Sequence, residues 1–260
     1  TRYIGVTGVQ TCALPIYYNA SGGGSPGPFL SKALDTRQYT LMSYNNPAGS
    51  MLVSSSSTGS GLVSYKGTTV NPSTYMMFDM AALQFLYGVG DGVATDNYQV
   101  TSFTADWSGM QTLWTPKDGE MDASAVSNAN IIDLRAGAFS SINVIPKSIT
   151  DSFPASLKTA ATYMGLNNVG LAYGSQVTSA KGGSVGDVFY TSAAADVAID
   201  GGDGNDTVYL AGTAADWVAN QGTYINAKLS RSVSMSSVEV VKYYNADTYA
   251  TTHSRLDLSA

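Results

Sequence analysis

The sequence predicts a mainly β protein that closes in a parallel β-roll, and three observations predict it. The acidic residues are typed unevenly: Glu occurs only at Glu120 and Glu239, and every other acid is Asp. Glu suits helices, whereas Asp suits turns, caps and calcium loops. Twenty-seven glycines, with abundant Ser, Thr and Tyr, supply turn and strand formers. Finally, Asp187-Val188, Asp196-Val197 and Asp206-Thr207-Val208 recur about every nine or ten residues. That is the cadence of a coil in which each repeat provides one turn and one short strand.

Composition excludes several functions. The chain has 260 residues, 44% apolar and only 12% charged, enough to bury a core and unlike a disordered polymer. Net charge is −6, and no basic cluster occurs. Nucleic acid is therefore not an expected partner, because phosphate binding needs concentrated Lys and Arg. No apolar run approaches the ~18 residues that cross a bilayer, so no membrane span is expected.

In chain order, Gly5-Val6-Thr7-Gly8-Val9-Gln10-Thr11-Cys12-Ala13-Leu14-Pro15-Ile16 looks like a translated sequencing-adapter oligonucleotide. Residues 1–16 are set aside as an adapter-like artefact. The single cysteine falls inside that stretch, so neither a disulfide nor thiolate chemistry is expected from the rest. Residues 17–28 are rich in Gly, Ser and Pro and read as loop. Residues 33–43 turn apolar, and the polar Ser/Gly/Thr stretch 54–69 reads as a long surface loop. The clearest helix runs over residues 74–87, where Met76, Met80, Leu83 and Tyr87 share a core-facing stripe and Gly88 is the stop. From Gly92 onward short alternating runs, such as 98–103 and 131–134, read as strands between Gly, Asp and Asn turns. A short helix is expected over 155–164, with Leu157, Ala161 and Met164 on one face. A boundary near residues 88–95 divides a segment 17–90 from a β region 91–260.

Gly201-Gly202-Asp203-Gly204-Asn205-Asp206-Thr207-Val208-Tyr209 matches the pattern G-G-x-G-x-D-x-U-x at every defined position. Glycines allow the positive-φ backbone that turns carbonyl oxygens inward, and Asp supplies hard anionic oxygen. Gly182-Gly183-Ser184-Val185-Gly186-Asp187-Val188 is a copy stretched by one residue. The calcium candidates are Asp187 and Asp206, helped by Asp200 and Asp203, on turns made by Gly182, Gly183, Gly201, Gly202 and Gly204. A Gly/Asp turn that holds no metal is the alternative.

From residue 33 to about 246 the chain resembles the serralysins, a branch of the metzincin zinc proteases. Four blocks in the family's order carry the resemblance. Arg37-Gln38-Tyr39-Thr40-Leu41-Met42-Ser43-Tyr44 is similar to the segment holding the Met-turn, and Phe78-Asp79-Met80-Ala81-Ala82-Leu83-Gln84-Phe85-Leu86-Tyr87-Gly88 to the helix closing the protease domain. Asp122-Ala123-Ser124, continuing to Ile132-Asp133-Leu134-Arg135-Ala136-Gly137-Ala138-Phe139-Ser140, resembles the strands that open the calcium domain. Val169-Gly170-Leu171-Ala172-Tyr173-Gly174 looks like the approach to its RTX-type glycine repeats.

The resemblance implies a metzincin remnant, Met-turn plus helix, followed by a calcium β-roll. It implies Met42 as the Met-turn methionine, an apolar floor under zinc that does not ligate it. It implies Tyr44 as the tyrosine that reaches the zinc and then stabilises the oxyanion. It also implies peptide or protein substrates for the parent, export by a type I secretion apparatus, and an extracellular location. The family's zinc site needs H-E-x-x-H-x-x-G-x-x-H, and the only histidine here is His253. Zinc is thus expected in the intact parent only, with the missing motif upstream of Tyr17, and this chain alone is expected to be inactive. Two acidic segments of the family are also thinned, at Trp114-Thr115-Pro116-Lys117-Asp118-Gly119 and at Val177-Thr178-Ser179-Ala180. One or two calcium ions are expected. The alternative is a non-catalytic calcium-binding extracellular or secretion module. A zinc-binding helix encoded just upstream of Tyr17 separates the two.

Overall fold

The computed structural model describes residues 30–57, 62–88 and 99–245, which are mainly β. In order they form β1 (Met51–Ser57), β2 (Val63–Thr69), α1 (Met77–Tyr87), β3 (Gln99–Ser102), β4 (Gln111–Leu113), β5 (Gly119–Asp122), β6 (Ile131–Asp133) and β7 (Phe139–Ser140). There follow α2 (Lys147–Asp151), β8 (Val169–Leu171), β9 (Val177–Lys181), β10 (Val188–Tyr190), β11 (Val197–Asp200) and β12 (Thr207–Ala211). The last are β13 (Val218–Asn220), β14 (Thr223–Asn226), β15 (Arg231–Ser236) and β16 (Val240–Tyr244).

Two sheets dominate. One has the order β13-β14-β15-β11-β9-β5-β3, the other β16-β12-β10-β6. Within the first, β3, β5, β9, β11 and β15 run parallel, and every pairing of the second is parallel. From β5 onward the chain visits the sheets in turn: β5 then β6, β9 then β10, β11 then β12, β15 then β16. It therefore winds as a four-step coil. Alternation drives this, since Val197 and Ile199 of β11 are buried while Ala198 and Asp200 are exposed. Phe189, Val208, Leu210, Met121, Ala180, Ile199 and Val233, from both sheets, share one core. Each large apolar side chain buried there contributes about 1.5–3 kcal/mol.

The N-terminal segment packs onto this body. Val70, Met76, Met110 and Tyr163 form a second core, and Met51 pairs with Thr162 in an isolated parallel bridge. Several sequence expectations are corrected. Of the stretch expected as a surface loop over 54–69, residues 54–57 and 63–69 are instead strand, in the antiparallel pair β1–β2 with register from Met51↔Thr69 to Ser57↔Val63, and residues 58–61 lie outside the described residues. The expected helix over 155–164 is only a 3-10 turn at Ala155–Leu157, and α2 precedes it instead. The helix near 74–87 starts at Met77 and buries Met77 and Asp79, with the buried Met76 as its N-cap, whereas Tyr87 is 58% exposed. Residues 1–16, Tyr98, His253 and all of the expected boundary beyond Gly88 lie outside the described residues. Among the described residues no helix is long and apolar enough to cross a membrane.

Candidate metal centre

Strand register builds the site. Val188 pairs with Ile131 on one side and Thr207 on the other, and Thr207 pairs with Val240. The preceding residues, Asn130, Asp187, Asp206 and Glu239, therefore stand in one column where the turns enter the second sheet. Hydrogen bonds link them along the coil. The Asn130 backbone N–H donates to Asp187 Oδ1 at 2.6 Å, and its Nδ2 donates to the same oxygen at 3.0 Å. The Asp187 N–H donates to Asp206 Oδ1, and the Asp206 N–H to Glu239 Oε2, both at 2.7 Å. Carboxylates that accept backbone N–H groups in this way satisfy turns that would otherwise be left unpaired.

The column is buried where it matters. Asp187 and Asp206 are 1% and 0% exposed. Burial pushes the Asp187 carboxyl up, against the N–H groups of Gly183 and Asn130 that draw it down. Asp206 is pushed up to about 6, chiefly by burial and then by the nearby charges of Asp187, Glu239 and Asp200. Asp206 Oδ2 is buried and has no hydrogen-bond partner. An unpaired carboxylate oxygen in such a place is costly, and a hard cation is one of the few groups that relieves it.

The glycine turns stack closely. A Cβ on Gly201 stands 1.8 Å from the Ser237 carbonyl oxygen and 2.7 Å from Asp206 Oδ2, so no side chain fits. Gly202 has φ +86°, the left-handed region that favours glycine. Gly182 and Gly183 occupy the step before, and Gly204 packs against Gly186. Asp200 ends β11 and its Oδ1 accepts the Gly202 N–H at 3.4 Å. Asp203 is exposed, and its N–H donates to the Gly183 carbonyl at 3.1 Å. The structure thus brings Asp187, Asp206 and the glycines together, with Asp200 at the edge and Asp203 outside.

Asn130 and Glu239 were missed by motif reading. Their signal is positional: Asn130-Ile131-Ile132 and Glu239-Val240-Val241 repeat the acid-or-amide and apolar order of Asp206-Thr207-Val208. Neither carries the double glycine, so neither matches the nine-residue pattern.

Met42 and Tyr44 occupy a separate segment. The Thr40 hydroxyl donates to Asp79 Oδ1 at 2.6 Å, while the Leu41 and Met76 N–H groups donate to Asp79 Oδ2 at 2.8 and 2.9 Å. Asp79 thereby pins this turn to the first turn of α1. Met42 is 40% and Tyr44 74% exposed.

The residues present suit calcium and not zinc. Carbonyl and Asp oxygens are hard ligands, and Asp206 Oδ2 is an oxygen in want of a partner. Zinc in the expected site needs three imidazoles, and the sequence has one histidine. Among the described residues no three His, Cys, Asp or Glu side chains form a group that could hold a metal ion. No protein-family model and no curated protein matches the chain.

Proposed function

We propose that the chain is the C-terminal part of a secreted, calcium-dependent zinc metalloendopeptidase of the serralysin-like kind. In this reading residues 17–90 are the metzincin remnant and residues 91–260 an RTX-type β-roll. The observation that carries it is the four-step parallel coil whose glycine turns converge on the buried pair Asp187 and Asp206. Calcium supplies positive charge and hard coordination, joining turns whose carboxylates otherwise repel. The chain's own residues provide the column, the glycine turns and the surface segment with Met42 and Tyr44. The three zinc imidazoles of that family are not among its residues, so hydrolysis belongs to the intact parent. A non-catalytic extracellular or secretion module is the second reading, favoured by the exposure of Met42 and Tyr44.

The test is thermal unfolding with millimolar calcium and with EGTA. At a hundredfold excess over Kd, binding adds about 2.7 kcal/mol. For a chain of this size that is a rise of about 5–10 °C in Tm. Coincident melting curves in the two conditions sink the calcium reading.

A further inference from the structure

The geometry points to a single divalent-cation site one step further along the coil than the paired glycine motifs indicate, held by Asp206 and Glu239 beside the Ser237 carbonyl. It rests on the calcium reading above. The first glycine loop is not stretched after all, since Gly182 to Asp187 and Gly201 to Asp206 both span five positions, yet the two loops are not equivalent in structure. In the first, Asp187 is satisfied by the protein: Oδ1 accepts both donors of Asn130, and Oδ2 accepts the Gly183 N–H at 2.6 Å. In the second, Asp206 Oδ1 accepts the Asp187 N–H, but the Gly202 N–H donates to Asp200 instead. Asp206 Oδ2 is left buried and unpartnered.

What surrounds that oxygen belongs to the fourth step. The Ser237 carbonyl oxygen and Asp206 Oδ2 flank the same point above Gly201. Ser237 itself has φ +52°. Glu239 stands next in the column, exposed, with one carboxylate oxygen on the Asp206 N–H. Two carboxylates and the Ser237 carbonyl are hard oxygen donors of the kind calcium takes.

Charge separates the steps as well. Asp122, Lys181, Asp200 and Ser236 share one register across the first sheet. Lys181 Nζ lies 2.8 Å from Glu120 Oε1 and 3.9 Å from Asp122 Oδ2. Lys181 thus stands at the edge of the step between the two glycine loops, with its ammonium turned toward Glu120 and Asp122 of the preceding strand. The step from Asp206 to Glu239 has Asp200 and Ser236 at the corresponding positions, and neither is a cation.

The experiment is calorimetric titration of the full chain with calcium chloride, wild type against Asp206→Asn, Glu239→Gln and Asp187→Asn. The expected result is one calcium per chain. Asp206→Asn and Glu239→Gln each weaken binding about tenfold or more, and Asp187→Asn by less than about threefold. Glu239 is exposed, so its variant keeps the fold, checked by circular dichroism, and decides the matter even if Asp206→Asn does not fold. Wild-type affinity in Glu239→Gln together with loss in Asp187→Asn overturns this inference and leaves the calcium reading standing. No binding heat at millimolar calcium removes both.

Discussion

At the residue scale the turn column depends on two demands that only glycine meets, and they differ. Gly202 needs its positive φ, whereas Gly201 needs the space beside its Cα, which Ser237 and Asp206 fill. The obstructing atom at 1.8 Å is a backbone carbonyl oxygen, which cannot swing aside like the end of a long side chain. Gly201→Ala must therefore push the third and fourth steps apart. Overpacking of this kind costs about 1–3 kcal/mol, and the upper end applies here. The urea midpoint should fall accordingly at unchanged m-value. A loss under about 0.5 kcal/mol is the size of an ordinary surface change and is incompatible with turns stacked this closely.

At the element scale α1 and the segment before it are one unit through Asp79. Its carboxylate takes the Thr40 hydroxyl and the N–H groups of Leu41 and Met76, and it is 6% exposed. Asp79→Ala leaves the buried Thr40 and Met76 donors and the part-buried Leu41 N–H without an acceptor, at about 1–3 kcal/mol for each that water does not reach. Asp79→Asn keeps one acceptor oxygen for the two N–H groups and costs about 1 kcal/mol. Thermal unfolding should rank wild type, Asn, Ala in falling stability, with faster amide exchange at Leu41 and Met76 in the Ala variant. Equal stability of all three contradicts the coupling. This hub was not legible in the sequence, where Asp79 reads as one helical residue among many. Legibility elsewhere followed local pattern. Residues 197–208 show alternating apolar positions and glycine turns, and they are strands and turns. Ser54-Ser55-Ser56-Ser57 has no apolar alternation, yet it is in β1, because cross-strand backbone pairing rather than burial defines that strand. Residues 157, 161 and 164 have helical spacing, but the backbone of 160–163 is committed to residues 49–51. Gly49 and Met51 donate to the carbonyls of Ala160 and Ala161, and Tyr163 donates to Met51. A partner more than a hundred residues away leaves no trace in a local period. The same limit hid Asn130 and Glu239, whose place in the column comes from register.

At the scale of the whole molecule, the coil stacks acids above one another, and calcium-free stability must carry that cost in its dependence on pH. Asp206 has a folded pKa of about 6 against an ordinary 3.8, and Asp187 is shifted in the same direction. A raised carboxyl pKa means that the folded chain holds the proton more tightly than the unfolded chain. Its contribution is complete below pH 3.8 and is lost as pH rises through about 6. Asp151 and Asp216 are lowered by Lys147 and Thr213 respectively and act in the opposite sense, but both are at the surface, where such effects are small. Between pH 5 and 7 in EGTA the chain should therefore become less stable, by about 1–3 kcal/mol. Calcium reverses the sign under the proposed reading: the cation binds the ionised carboxylate, protons compete with it, and the loaded chain gains stability over the same interval. Chemical denaturation at pH 5, 6 and 7, with and without calcium, gives two curves that cross or diverge. A calcium-free chain that strengthens from pH 5 to 7 contradicts the buried, unpartnered state of Asp206. Parallel curves contradict a cation on it.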